Sequence, residues 1–405
     1  WRQSAHLDIV FIVGITYVTR GAFSLQALIG AGETSFVLSS DDGETYVSFA
    51  RSLLSGGDLH FIAGETPYAP GYTFFVALLL VLTGGNFLLL VLLHSMLAAV
   101  TGVLLYLVLR HMAGRLAALT GGMLLALNVG LLQVQGTMTA EALALPFIML
   151  FIWALTRYEG SPRSQWILGA GVALAIAIYS RNMVLIFLPA TVGWILLRQQ
   201  PRLLRRTYFA SLLILVVVLP LALTNFALTG TARLTGQDAA LAWGLSTEPW
   251  QALAPSNEPL LEMGIDPFRE PATSLAAIWA DPAPVTAFVA RSAPRRAITM
   301  LFPPEFGLFD PLRILNPGIV ANAFGPLVDS VLIAMLLLGF VMARRDKSSS
   351  AGTLLILLIV AYLLLFSILF TPYHPPRYHT LIAPFMITFQ ALGIAMLSKR
   401  LITAR

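Results

Sequence analysis

Ten stretches of about 20 residues with almost no charge punctuate this chain, and that is the length an α-helix needs to cross the hydrocarbon of a bilayer. They fall at 7–25, 88–109, 116–132, 139–156, 165–181, 183–198, 208–226, 324–343, 352–370 and 380–397. Lipid offers no hydrogen bonds, so each stretch must satisfy its own backbone and is committed to helix. The rest of the composition agrees: at 57% hydrophobic and 11% charged, the 405 residues carry too few polar groups to coat a soluble globule. The fold class expected is an all-α polytopic membrane protein with about ten transmembrane helices. Cysteine is absent, which excludes disulfides, thiolate metal sites and a cysteine nucleophile. The chain opens on Trp1, so further N-terminal residues are expected to precede it.

The apolar run from Tyr72 to Leu82 is too short to cross and reads as a helix lying at the interface. Charge parity supports that reading. With 72–82 left uncrossed, Arg2, Arg110, Arg115, Arg157, Arg163, the 198–206 arginines, Arg344, Arg345, Lys347, Lys399, Arg400 and Arg405 all fall on one face, the cytoplasmic one by the positive-inside rule. Asp41, Asp42, Glu44, Asp58 and Glu65 then face outward. The net charge of +5 is accounted for by that cytoplasmic bias, and no nucleic-acid partner is expected.

Three regions follow. Residues 1–226 form a transmembrane module whose first outer loop, 26–87, carries interfacial helices; 227–323 is a small irregular and helical extracytoplasmic domain; 324–405 holds the last helices. The 227–323 stretch contains half of the 24 prolines and three of the seven tryptophans, with no period-two strand pattern, and reads as a lid. Within it, Arg291, Arg295 and Arg296 sit on an expected amphipathic helix at 284–300, suited equally to anionic headgroups or to a functional role.

The polar residues that carry chemistry gather at the outer ends. Asp41 and Asp42 precede a helix expected from Gly43 to Leu54. One of them could cap that helix, but capping needs only one, and Tyr46 shares a helical face with Asp42. Tyr68-Ala69-Pro70-Gly71-Tyr72 reads as a turn that starts the interface helix. Glu141 opens the fourth span, either as a first-turn carboxylate favoured by the helix dipole or as a site residue. Arg181 ends the fifth span, either snorkelling or paired. The last outer loop, Tyr373-His374-Pro375-Pro376-Arg377-Tyr378-His379, combines an aromatic belt with cations, and arginine is the side chain best shaped to clamp phosphate oxygens. No dinucleotide, P-loop, zinc-protease or nucleophile-elbow motif occurs. A divalent metal is possible, but no ligand spacing designates its site.

In order and topology these pieces resemble the GT-C superfamily of polyprenyl-phosphate-sugar-dependent glycosyltransferases, in the protein O-mannosyltransferase and aminoarabinose transferase branch. The matching features are the acid with tyrosine four residues on, Ala50-Arg51-Ser52-Leu53-Leu54-Ser55-Gly56-Gly57, the Pro-Gly-Tyr turn, Glu141, Arg181 and Pro376-Arg377-Tyr378. The resemblance implies that Asp42 is the catalytic base, with Asp41 beside it. Gly43 stands where the family commonly has a second acid, a place that Asp41 or Glu44 could fill, and Ala69-Pro70 replaces the usual Pro-Pro. Donor phosphate would be held by Arg377, Arg181, His374, His379 and Tyr378, with Glu44, Tyr46, Tyr68 and Glu141 as acceptor or accessory residues.

The implied activity is inverting transfer of a hexosyl or pentosyl group from a polyprenyl-phosphate sugar to a hydroxyl of a glycan, lipid or protein. It would take place on the extracytoplasmic side of the plasma (inner) membrane. The alternatives are a transporter or flippase of a lipid-linked sugar, and a non-catalytic membrane subunit of the same fold. A transporter would place its polar groups along a path at the bilayer midplane, whereas here they cluster at the outer interface.

Overall fold

The computed structural model describes residues 2–38, 42–57, 70–135, 137–197, 203–229, 276–277, 279–301, 319–345, 351–368 and 379–403. Among these residues every regular element is a helix: α1 (Arg2–Leu38), α2 (Gly43–Leu54), α3 (Pro70–Thr83), α4 (Phe87–Ala113), α5 (Arg115–Leu127), α6 (Val129–Gln135), α7 (Ala140–Gly160), α8 (Ser164–Ser180), a 3-10 turn (Asn182–Ile186) running into α9 (Phe187–Leu197), α10 (Leu203–Thr229), α11 (Ala283–Leu301), α12 (Ile319–Arg345), α13 (Ala351–Ile368) and α14 (Ala383–Thr403).

Over their described residues the apolar windows fall mostly on helix, and four helical segments are long and apolar enough to cross a bilayer outright: Ala5–Gln26, Phe87–Ala113, Ala140–Gly160 and Leu203–Thr224. Three windows take forms that hydropathy does not foretell. The 116–132 window is broken at Asn128, whose backbone turns extended and whose Oδ1 accepts from the Leu131 amide at 2.8 Å, capping α6 as α5 ends. The 183–198 window opens as a 3-10 turn. α1 continues helical to Leu38, so the segment expected to begin a loop at 26 starts instead as helix.

α3 is 14 residues long, about 21 Å at 1.5 Å per residue, which is well short of a 30 Å hydrocarbon core. It meets α4 through Gly84 and Gly85, both at positive φ (60° and 78°), where a side chain would be strained. Asn86 then caps α4 by accepting from the Leu89 amide at 3.2 Å.

α14 lies at the centre of the bundle. All thirteen residues from His379 to Ala391, the first nine of α14 among them, are buried, so this segment lies in the interior. It crosses α12 at backbone contact: a methyl on Gly339 would fall on the Phe389 carbonyl, and one on Gly393 on the Met335 carbonyl. Small residues let helix backbones approach this closely, and Phe340 stacks on Phe389 beside the crossing at 4.2 Å between ring centroids.

Several of the basic residues collect at one end of the bundle. Asp8, buried in α1, accepts from Arg115 Nε and Nη2 at 2.9 and 2.8 Å, from Arg110 Nη1 at 3.3 Å and from the Tyr106 hydroxyl at 2.9 Å. Arg205 donates to the Pro162 carbonyl at 2.6 Å, and a side chain on Gly160 would lie 3.9 Å from the His111 ring. The α1 start, the α4–α5 joint, the α7–α8 joint and the α10 start therefore share that end, as charge parity requires.

Of residues 227–323 the structure describes chiefly α11, which packs on α13. The expected three-arginine face is corrected here. Arg291 is exposed, whereas Arg296 is fully buried, with its guanidinium over the Phe288 ring at 5.4 Å. Four positions of α11, Val285, Phe288, Ser292 and Arg296, recur at helical spacing on the buried face, so Arg296 is turned inward rather than toward headgroups. The Arg295 side chain lies outside the description.

Candidate active site

The end of the bundle opposite the basic joints gathers the starts of α2, α3, α4, α7 and α14 and the ends of α6 and α8. Asp42 stands immediately before α2, half-buried, and its backbone carbonyl accepts from the Tyr46 amide at 3.0 Å. It occupies the N-cap position of α2, but its side chain makes no capping hydrogen bond. Glu44 is exposed in the first turn.

Tyr46 is fully buried, and its ring meets Tyr72 edge to face, with centroids 4.7 Å apart and planes at 83°. Around that pair α2 and α3 share an apolar cluster with Val76, Leu90, Met138 and Ala140, which fastens the first loop onto the starts of α4 and α7. The Pro70-Gly71-Tyr72 turn has a steric reason as well as a conformational one. A methyl on Gly71 would lie 2.5 Å from the Tyr179 carbonyl oxygen, so only glycine lets α3 begin against the end of α8.

That end of α8 carries Arg181. Its Nη2 pairs with Glu141 Oε1 at 3.0 Å; Glu141 is fully buried and Arg181 is 11% exposed. Two residues singled out separately in the sequence are thus one ion pair, bridging the start of α7 and the end of α8. His379 begins the last helical segment and is 5% exposed, its carbonyl accepting from the Ile382 amide at 3.0 Å. Asp41, Tyr68, His374, Arg377 and Tyr378 lie outside the described residues.

Sequence reasoning missed a second set of polar groups. His94 and Arg20 are buried within the apolar windows of α4 and α1. Tyr72 hydroxyl and His94 Nε2 are 3.0 Å apart, and His94 Nδ1 is 3.1 Å from the Gln135 carbonyl oxygen. Arg20 donates to the carbonyls of Leu125 and Ala126, both at 2.7 Å, and to Gln135 Oε1 at 3.2 Å. An ionisable residue inside a span is itself a signal, since such groups are costly in lipid. Among the described residues no three His, Asp or Glu side chains converge as a metal set.

A family model described as dolichyl-phosphate-mannose-protein mannosyltransferase matches residues 66–224, which run from the Pro-Gly-Tyr turn into α10. The archaeal oligosaccharyltransferase AglB from Archaeoglobus fulgidus, solved with an inhibitory peptide and a dolichol-phosphate, superposes at a TM-score of 0.58 over 100% of this chain with 13% identity. The fold is of the GT-C type. A second structure of the Archaeoglobus fulgidus oligosaccharyltransferase, tethered to an acceptor peptide, aligns at 0.55 over 96% of this chain with 15% identity. This chain spans about half the length of those proteins, 52% and 50% respectively. ArnT from Cupriavidus metallidurans aligns at only 0.36, with 16% identity over 86% of this chain and 72% of its own, and carries no weight in the fold assignment. No curated protein sequence matches.

Proposed function

We propose that this GT-C-fold protein is an inverting glycosyltransferase that moves a sugar from a polyprenyl-phosphate donor to an acceptor hydroxyl on the extracytoplasmic face. The observation that carries the reading is Asp42, a half-buried carboxylate not engaged as a cap, on a helix pinned by Tyr46 at the end of the bundle that also holds the Glu141–Arg181 pair. The dolichol-phosphate in the AglB structure is consistent with a lipid-phosphate donor here.

The acceptor oxygen attacks the anomeric carbon as its proton passes to the Asp42 carboxylate. The bond from that carbon to the phosphate oxygen breaks, and polyprenyl phosphate departs with the electron pair. Base and leaving group on opposite faces of the sugar give inversion. Arg377 and Arg181 would neutralise the departing phosphate, with Arg181 oriented by Glu141; His374, His379 and Tyr378 would complete the donor contacts and Tyr68 the acceptor side.

The direct test supplies purified protein in liposomes with radiolabelled polyprenyl-phosphate sugars and looks for label in an acceptor. Movement of donor across the bilayer without transfer would instead identify a flippase. Lysine can replace arginine as an interfacial anchor but cannot reproduce its two-point grip on phosphate. Arg377→Lys is therefore expected to fold normally and to lose about ten-fold in donor use, on the basis of a charged hydrogen bond worth roughly 1.5 to 3 kcal/mol. Arg181→Lys should be milder, because one of its N–H groups already serves Glu141. Full turnover of Arg377→Lys at limiting donor would make that residue an anchor only.

The sidedness has its own test. In this cysteine-free chain, a cysteine at Ser55 should react with an impermeant thiol reagent from outside, and one at Ser349 only after permeabilisation. Labelling of Ser349→Cys in intact cells would place the site on the wrong face.

A further inference from the structure

The buried groups missed in the sequence form a line through Tyr72, and that line reaches α2 at Tyr46, the helix that Asp42 precedes. It starts at Arg20, fully buried in α1, which takes the last carbonyls of α5 and the side chain of Gln135. By holding the end of α5 and the end of α6 together, Arg20 fixes where the Gln135 carbonyl points. A carbonyl only accepts, so His94 Nδ1 carries the hydrogen in that 3.1 Å contact. In the neutral ring Nε2 is then an acceptor, which leaves the Tyr72 hydroxyl as donor across 3.0 Å. Tyr72 in turn meets the Tyr46 ring edge to face, and the Tyr46 amide is bonded to the Asp42 carbonyl. Through this hydrogen bond the Tyr72 ring, which packs on α2, is tied to α4 and to the end of α6.

We propose that His94 is a positioning residue for the transfer reaction, acting through Tyr72 to set where α2, and with it Asp42, stands at the site. The proposal rests on Asp42 being the base. The simpler account is that these groups merely satisfy one another's hydrogen bonds in the interior, in which case their loss would lower stability alone. The two accounts part on turnover, because a base displaced by a fraction of an ångström loses rate without losing donor affinity.

The experiment uses four variants of the full-length protein: Tyr72→Phe, His94→Asn, His94→Gln and the double variant Tyr72→Phe/His94→Asn. Asparagine places its amide where Nδ1 was and abandons Tyr72, whereas glutamine reaches the Nε2 position. The proposal expects kcat to fall about three- to ten-fold in Tyr72→Phe and in His94→Asn, the loss of one ordinary hydrogen bond, with KM for donor unchanged. The double variant should be no slower than the slower single, and His94→Gln should recover most of the rate. Additive losses, a change confined to KM, or a glutamine variant as impaired as the asparagine one would overturn it.

A second measurement needs no substrate. Nitroxide labels on cysteines at Ser48 of α2 and Leu88 of α4, both exposed positions, report the distance between the two helices. His94→Asn should shift or broaden that distance distribution, and an unchanged one would sink the positioning role. Should the parent transfer no sugar while the shift is present, the base assignment fails and the coupling of His94 to α2 stands.

Discussion

Asp42→Asn is expected to abolish glycosyl transfer in protein that folds and inserts as the parent does. Asparagine matches aspartate in size and keeps the backbone carbonyl that accepts from Tyr46, so α2 should retain its start and its packing. What is lost is a group able to take the acceptor proton. General-base catalysis typically contributes about 10² to 10⁴-fold, so the difference should be plain at matched amounts of folded protein. Asp41→Asn should only reduce the rate, because the register set by Tyr46 selects Asp42. Equal turnover by Asp42→Asn and the parent would remove the base from the mechanism.

Glu141→Leu should produce the largest loss of stability. Glu141 is fully buried and holds Arg181 Nη2 at 3.0 Å, so the substitution removes the carboxylate partner of a cation that is itself 11% exposed. Breaking a buried pair from one side costs about 3 to 5 kcal/mol, whereas replacing both partners by apolar groups is often close to neutral. The double variant Glu141→Leu/Arg181→Leu should accordingly unfold at a higher temperature in detergent than Glu141→Leu alone, though without full donor use. A Glu141→Leu protein within about 1 kcal/mol of the parent would mean that the pair carries little of the joint between α7 and α8, as exposed pairs do.

Helix positions were legible in the sequence because lipid leaves the backbone no alternative, and hydropathy records that constraint directly. Breaks within the apolar windows were not. The joint at Asn128 depends on a side-chain cap and on Arg20 taking the carbonyls that α5 leaves over, and an average over 20 residues hides both. α1 ran past its window for a related reason: apolarity fades after Gln26, but helix formation does not require apolarity.

At the site, Asp42, Glu141 and Arg181 were each visible as polar residues bounding apolar runs. The pairing of Glu141 with Arg181 was not, although α7 and α8 are consecutive and antiparallel, which puts the start of one beside the end of the other. His94 and Arg20 went unread because a single polar residue scarcely changes the mean of a long apolar stretch. Arg296 was misread as part of a charged face because its inward position is set by the packing of α11 on α13.

The crossing of α12 and α14 has a mechanical meaning. α14 is buried over its first nine residues, Ala383 to Ala391, and meets α12 backbone to backbone at Gly339 and Gly393, which leaves it little room to rotate or slide there. It therefore behaves as the stator of the assembly, and whatever gives way when the bundle opens must belong to other segments. The same rigidity sets a trap for mutational mapping. A bulkier residue at Gly339 would push this axis aside and silence the protein from a position that touches no reacting group.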